Sequence, residues 1–218
     1  MKLLLTSGGI TNASIKKAFF ELVGKAPEDI SLVVIPTAVN VENGHKGWFI
    51  DNLTQLNNLG LKSIEIADIS AVPEKVWRPR LEQADVIFMG GGNTFYLMEW
   101  LNKTNLSHSL RDLLATKVYV GVSAGGVVTN PDLWLRLSQV LYGDDLDRTE
   151  NIEGLGFVDF YFLPHLNSLH FKQLRKVNIE ASLAGVSKKV YALDDQSALK
   201  IVDGKLEVIT EGEYAEFN

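Results

Sequence analysis

A serine hydroxyl is a weak nucleophile until a base takes its proton and fixed donors receive the negative charge that its attack creates. One stretch has the residue types for this chemistry: Val118-Tyr119-Val120-Gly121-Val122-Ser123-Ala124-Gly125-Gly126-Val127-Val128. An apolar run enters a glycine-flanked serine and apolar sequence resumes after it, the pattern of a buried strand, a tight turn and the start of a helix. Gly121 and Gly125 remove side chains that would collide where the backbone folds back, so that Ser123 Oγ stands out from the sheet edge. The first N–H groups of the following helix then face the same point. The alternative is a glycine-rich strand-to-helix turn whose serine is idle.

The base must be a histidine, and the chain has four. His165 follows an apolar strand at its carboxyl end, behind Pro164, on the rim where Ser123 is expected. His170 is the second choice, whereas His45 and His108 read as solvated. No pair of histidines has the i, i+4 spacing of a zinc helix, so neither a metal nor another cofactor is expected. For the oxyanion, the strand-end loop Gly90-Gly91-Gly92-Asn93-Thr94 offers backbone N–H groups that would join that of Ala124; Gly91, Gly92 and Asn93 are the candidates. The loop lacks the ending of a P-loop and the spacing of a dinucleotide fingerprint.

These residues need a scaffold, and the hydrophobic pattern supplies one. Apolar runs at 2–6, 30–35, 63–69, 85–89, 118–122, 157–163 and 189–193 read as strands. Helical spacing fills 12–23, 47–59, 76–84, 95–115 (in two pieces) and 171–184 between them. This alternation predicts an α/β fold, doubly wound around a mostly parallel sheet, with residues 1–218 as one domain. The glycine turns after Thr6, Met89 and Val120 all fall at carboxyl strand ends, where such folds bind ligands. Residues 197–202 and 205–209 form a hairpin turning at Asp203-Gly204. The acidic stretch 130–153 reads as a long active-site loop.

Bulk properties narrow the class. A chain of 218 residues with 46% hydrophobic content can bury a substantial core. A net charge of -6 and a pI near 5.3 argue against a nucleic-acid partner. The absence of cysteine excludes a thiol nucleophile. No segment reads as a signal peptide or a membrane span, so a cytoplasmic location without membrane contact is expected; a homodimer is left open.

The ordered set Gly90-Gly91-Gly92-Asn93-Thr94-Phe95, Gly121-Val122-Ser123-Ala124-Gly125 and Leu163-Pro164-His165 resembles the dipeptidase E (α-aspartyl dipeptidase) family of serine peptidases, relatives of the cyanophycinases, and among them uncharacterised Gram-positive members. The resemblance implies a glutamine-amidotransferase-like (flavodoxin-like) three-layer sandwich and short peptide substrates. It also implies Ser123 as nucleophile, His165 as base, and an oxyanion hole from the N–H groups of Gly92 and Ala124. The acid of the triad lies between serine and histidine in that family, which makes Asp144 and Asp145 the candidates, followed by Asp132 and Asp147. Asp194-Asp195 ends a strand at the same rim but has the character of a turn former. A preference for N-terminal aspartate would need a basic residue after the histidine, where Lys172 and Arg175 stand. Two other readings remain, an esterase-type serine hydrolase and a non-catalytic binding protein on the same scaffold.

Overall fold

The computed structural model describes residues 1–218. Its centre is a seven-stranded sheet in the order β3-β2-β4-β5-β1-β8-β9. The strands are β1 (Lys2–Thr6), β2 (Ser31–Ile35), β3 (Ser63–Ile66), β4 (Val86–Met89), β5 (Val118–Val122), β8 (Ser197–Val202) and β9 (Lys205–Thr210). The first five run parallel, and the β8–β9 hairpin adds antiparallel to β1. Successive side chains of a strand point to opposite faces, and in these strands both faces are apolar. Leu3 and Leu5, Val33 and Ile35, and Ile87 and Met89 enter one core; Leu4, Leu32, Val34, Val86 and Phe88 enter the other.

Helices cover both faces, as apolar strands on a two-sided sheet require. Helix α1 (Ala13–Val23) and helix α2 (Gly47–Asn57) deliver Ile15, Phe19, Leu22 and Leu56 to the second core. Helices α3 (Glu74–Gln83), α4 (Thr94–Lys103) and α5 (Leu106–Leu113) deliver Trp77, Leu81, Phe95, Leu101 and Leu110 to the first. The doubly wound three-layer expectation therefore holds. No helix is long and apolar enough to cross a membrane.

A smaller sheet, in the order β10-β7-β6, stands beside the large one. It comprises β6 (Tyr161–Leu163), β7 (Val190–Leu193) and β10 (Tyr214–Phe217), with β6 and β7 parallel. Helix α8 (Lys176–Ser182) and the 135–142 segment close a third core beneath it, with Leu137, Leu141, Leu163, Leu174, Ile179 and Val190.

Three expectations need correction here. The strand predicted over 157–163 begins only at Tyr161, because the Phe157 and Val158 N–H groups bond the Thr129 carbonyl and hold that apolar stretch as a loop. The helix predicted over 171–184 shrinks to Lys176–Ser182, since Leu174 instead accepts a bond from the Asn167 N–H and closes a tight loop. The acidic 130–153 stretch is not wholly loop: it contains helix α7 (Leu135–Leu137) and a π-turn over Ser138–Tyr142.

Candidate active site

Ser123 follows β5 and caps the short helix α6 (Ala124–Val127), accepting from the N–H groups of Gly126 and Val127 at 2.8 and 2.9 Å. Its φ of 49° and ψ of -114° lie outside the regions open to ordinary residues, a strain of about 1–3 kcal/mol that surrounding contacts must hold. Two contacts explain how. The Ser123 N–H donates to Thr6 O at 2.9 Å. The backbones of Gly121 and Gly125 approach so closely that a Cβ on Gly121 would stand 2.5 Å from Gly125 O, and one on Gly125 would stand 2.1 Å from Met89 O. Only glycine fits either place, so the sharp bend at Ser123 is built into the sequence on both sides.

His165 comes from the turn after β6 and also has a left-handed backbone, with φ of 68°. Its N–H donates to Ser7 Oγ at 3.2 Å, and Ser7 donates in turn to Leu193 O at 2.8 Å. The buried Ser7 thus ties the turn after β1 to β7 and to the histidine. The His165 ring stacks on Phe171, with centroids 5.1 Å apart. His165 Nε2 lies 2.9 Å from Ser123 Oγ, and Nδ1 lies 2.6 Å from Asp195 Oδ1. With a carboxylate accepting at Nδ1, the neutral imidazole carries its proton there and presents Nε2 as acceptor to the serine hydroxyl.

The carboxylate on the histidine is therefore Asp195, in place of the expected Asp144 or Asp145. Strands β6 and β7 are parallel with Leu163 opposite Ala192, which brings their carboxyl ends, and hence His165 and Asp195, side by side. The Asp195 carbonyl accepts from Thr11 Oγ1 at 2.8 Å, and a Cβ on Gly8 would lie 3.3 Å from the Asp195 Cβ. The glycine turn after β1 thus seats this residue. Asp194 is the turn former that its position suggested, accepting from the Gln196 and Glu213 N–H groups and from Ser197 Oγ.

Asp145 lines the cleft around Ser123, but its bonds run to residues other than His165. It accepts from Asn93 Nδ2 (3.2 Å), Ser138 Oγ (3.1 Å) and Arg148 Nε (3.2 Å), pinning the 138–148 segment to the start of α4. Asp132 accepts from Asn151 Nδ2 and the Tyr161 hydroxyl, and Asp147 is exposed. His170 is exposed, edge-on to Phe171, and His45 and His108 lie on the surface.

The 90–93 loop folds against residues 35–38: the Gly90 N–H donates to Ile35 O and the Asn93 N–H to Ala38 O. Gly92 has φ of 123°, and a Cβ there would lie 2.2 Å from Ala38 O. Between those anchors the Gly91 and Gly92 N–H groups donate to no group of the protein. Gly91 lies against the Ser123 side chain, a Cβ built on it being 3.2 Å from Ser123 Cβ, while Gly92 and Ala124 line the cleft around Ser123. Asn93 is engaged at both ends: its Oδ1 caps α4 by accepting from the Tyr96 N–H, and its Nδ2 donates to Asp145.

The cleft around Ser123 has walls that are mostly aromatic and aliphatic, with Thr94, Asn130, Ser138, Asp144 and Asp145 among its polar members. Asp144 lies in this wall without a hydrogen-bond partner, and burial raises its carboxyl to about 6, with Glu42 and Asp145 pushing the same way and His170 opposing. A carboxyl that holds its proton more tightly folded than unfolded costs stability as pH rises. The cost is absent below pH 4, grows between about 4 and 6, and is constant above. Asp144→Asn is expected to raise stability by about 1 kcal/mol at pH 8, after allowance for solvent screening, and by little at pH 4. Urea unfolding at the two pH values checks this, and an equal gain at both would contradict it.

Comparison with known proteins places the chain among peptidases. The sequence profile described as Peptidase family S51 matches residues 3–209. An uncharacterised peptidase of Listeria monocytogenes is 32% identical over 188 residues, covering 83% of this chain and 85% of that one. A peptidase E of Actinobacillus pleuropneumoniae is 31% identical over 153 residues, 65% of this chain and 61% of the relative. A crystal structure of a candidate peptidase E protein from Listeria monocytogenes superposes with a TM-score of 0.78 at 25% identity, covering 97% of this chain and 98% of the other. The chain belongs to Peptidase family S51, and is a peptidase, a hydrolase of peptide bonds.

Proposed function

We propose that the protein hydrolyses short peptides through an acyl-enzyme formed on Ser123, with His165 as general base and acid and Asp195 orienting the histidine. The observation that carries this reading is the unbroken chain of contacts from Asp195 to His165 to Ser123, at 2.6 and 2.9 Å, ending on a serine held at a strained strand-to-helix bend. Ser123 Oγ attacks the peptide carbonyl carbon as its proton passes to His165 Nε2. The tetrahedral oxyanion forms beside the N–H groups of Gly91, Gly92 and Ala124. The His165 imidazolium, stabilised by Asp195, then gives its proton to the leaving amine, and the C–N bond breaks. Water, deprotonated by His165, attacks the ester, releases the acyl product and restores Ser123.

The likeness to relatives named peptidase E favours exopeptidase or dipeptidase action over cleavage within folded chains. The N-terminal aspartate preference that the resemblance implies receives no support from the basic residues expected to serve it. Arg175 donates to the carbonyls of Ser168, Phe171 and Leu174, and Lys172 is exposed. The test is release of free amino acids from a panel of dipeptides beside hydrolysis of p-nitrophenyl acetate. Efficient dipeptide cleavage supports this reading. Ester turnover with no peptide cleavage would replace it with the esterase reading, and a folded protein inert toward both would favour a binding protein.

A further inference from the structure

The cleft beside Ser123 has a one-sided charge. No lysine or arginine is among its lining residues, whereas Asp144 is, with a carboxylate that has no hydrogen-bond or ion-pair partner. The basic side chains nearby are already engaged. Arg148 is held by Glu99 at 2.7 Å and Asp145 at 3.2 Å, and Lys46 donates to the carbonyls of Glu42 and Asn43. Glu42 adds negative charge near Asp144, and the one side chain opposing it, His170, is exposed. Asp145, held by Arg148, also lines the cleft, and the remaining wall is mostly apolar: Phe95, Trp134, Tyr142, Tyr161, Phe162 and Phe171 line it, with Tyr142 edge-on to Phe171 and Trp134 packed on Tyr161.

We propose that this cleft selects peptides whose acyl-side residue presents an alkylammonium to Asp144 and an apolar or aromatic side chain to the aromatic wall, and that it rejects an acidic side chain there. The proposal rests on the acyl-enzyme reading above. A half-buried carboxylate with no partner destabilises the fold, and an ammonium ligand supplies the missing countercharge and hydrogen bonds in one contact. An aspartate side chain would bring a second carboxylate into a low-dielectric site that already holds Asp144, with Glu42 close by and no free cation in the wall, a repulsive arrangement. The ammonium has two sources, the free α-amine of the first residue and the side chain of a lysine. Asp144 is a recognition residue in this scheme and takes no part in bond making.

The experiment measures kcat and KM for Phe-Leu, N-acetyl-Phe-Leu, N-acetyl-Lys-Leu and Asp-Leu with wild type, Asp144→Asn and Asp144→Lys. Wild type is expected to cleave Phe-Leu with kcat/KM at least 100-fold above Asp-Leu. If the α-amine is the ligand, N-acetyl-Phe-Leu and N-acetyl-Lys-Leu are both poor; if the lysine side chain is, N-acetyl-Lys-Leu is cleaved well. Asp144→Asn should raise KM for the preferred cationic substrate at least tenfold while kcat changes less than threefold. Asp144→Lys should narrow or invert the preference over Asp-Leu. Asn is close in volume to Asp and removes a buried charge, so the Asp144→Asn result stands even if the lysine variant fails to fold.

Asp-Leu cleaved as well as Phe-Leu, N-acetyl-Phe-Leu cleaved as well as Phe-Leu while N-acetyl-Lys-Leu is cleaved no better than either, or a preference unchanged in Asp144→Asn would each overturn the proposal. A fluorophosphonate probe separates this from failure of the mechanism. Labelling of Ser123 with no cleavage of any peptide in the panel overturns the substrate assignment alone; no labelling at all overturns the acyl-enzyme reading.

Discussion

Replacing Ser123 by alanine is expected to lower kcat for the best dipeptide substrate by about five orders of magnitude, with little change in thermal stability. The oxygen removed is the one proposed to form the acyl bond, and no cysteine elsewhere in the chain can take its place. Stability changes little because the strain at this position lies in the backbone. Alanine meets the same φ of 49°, the same N–H bond to Thr6 O and the same glycine contacts on either side. What the fold loses is one partly buried hydrogen bond to His165, about 1 kcal/mol. His165→Ala is expected to be nearly as damaging, and the double variant scarcely worse than either single one, since the two side chains act as a unit. Steady-state kinetics and thermal melts of the three variants check this. Additive losses in the double variant would contradict it.

Asp195→Asn is expected to reduce kcat by about three to four orders of magnitude, the second largest effect, with KM little changed. An amide can keep the contact to His165 Nδ1 by donating to it. The imidazole then carries its proton on Nε2, facing a hydroxyl whose proton it can no longer accept. The comparison with Asp145→Asn isolates the role. Asp145 makes three side-chain bonds that hold the 138–148 segment, so its amide variant should lose about 1–2 kcal/mol of stability and keep most of its turnover per folded molecule. Kinetics corrected for the folded fraction distinguish the two. If Asp145→Asn is the variant that loses kcat at unchanged stability, the carboxylate has been assigned to the wrong residue.

That pair of residues also marks where the sequence stops being legible. The proposed nucleophile and base carry local signals, a glycine-flanked serine after one apolar run and a Pro-His after another, although β5 and β6 lie in different sheets. The large sheet is equally readable, since strands buried on both faces are written as unbroken apolar runs and each odd and even position finds its own core. The proposed acid depends on a fact with no local signature, that β7 lies beside β6 in a separate small sheet. Had that pairing been known, the adjacent carboxyl ends would have pointed to Asp194 or Asp195. Residues 194 and 195 show both meanings of a strand-end aspartate, one closing the turn and the other meeting the histidine. Ser7 was hidden for the same reason: its bonds run to Leu193 and His165, far away in sequence. The last strand, Tyr214–Phe217, alternates polar and apolar residues over a stretch too short to stand out, and it exists because β7 offers it an edge.

The central claim, that His165 activates Ser123 for covalent chemistry, is tested most directly by mass spectrometry of the protein after brief exposure to a fluorophosphonate. Wild type is expected to gain one adduct, carried by the peptide containing Ser123. His165→Ala should label at least 100-fold more slowly, and Ser123→Ala not at all. An adduct on another residue, or equal labelling of wild type and His165→Ala, would contradict the account.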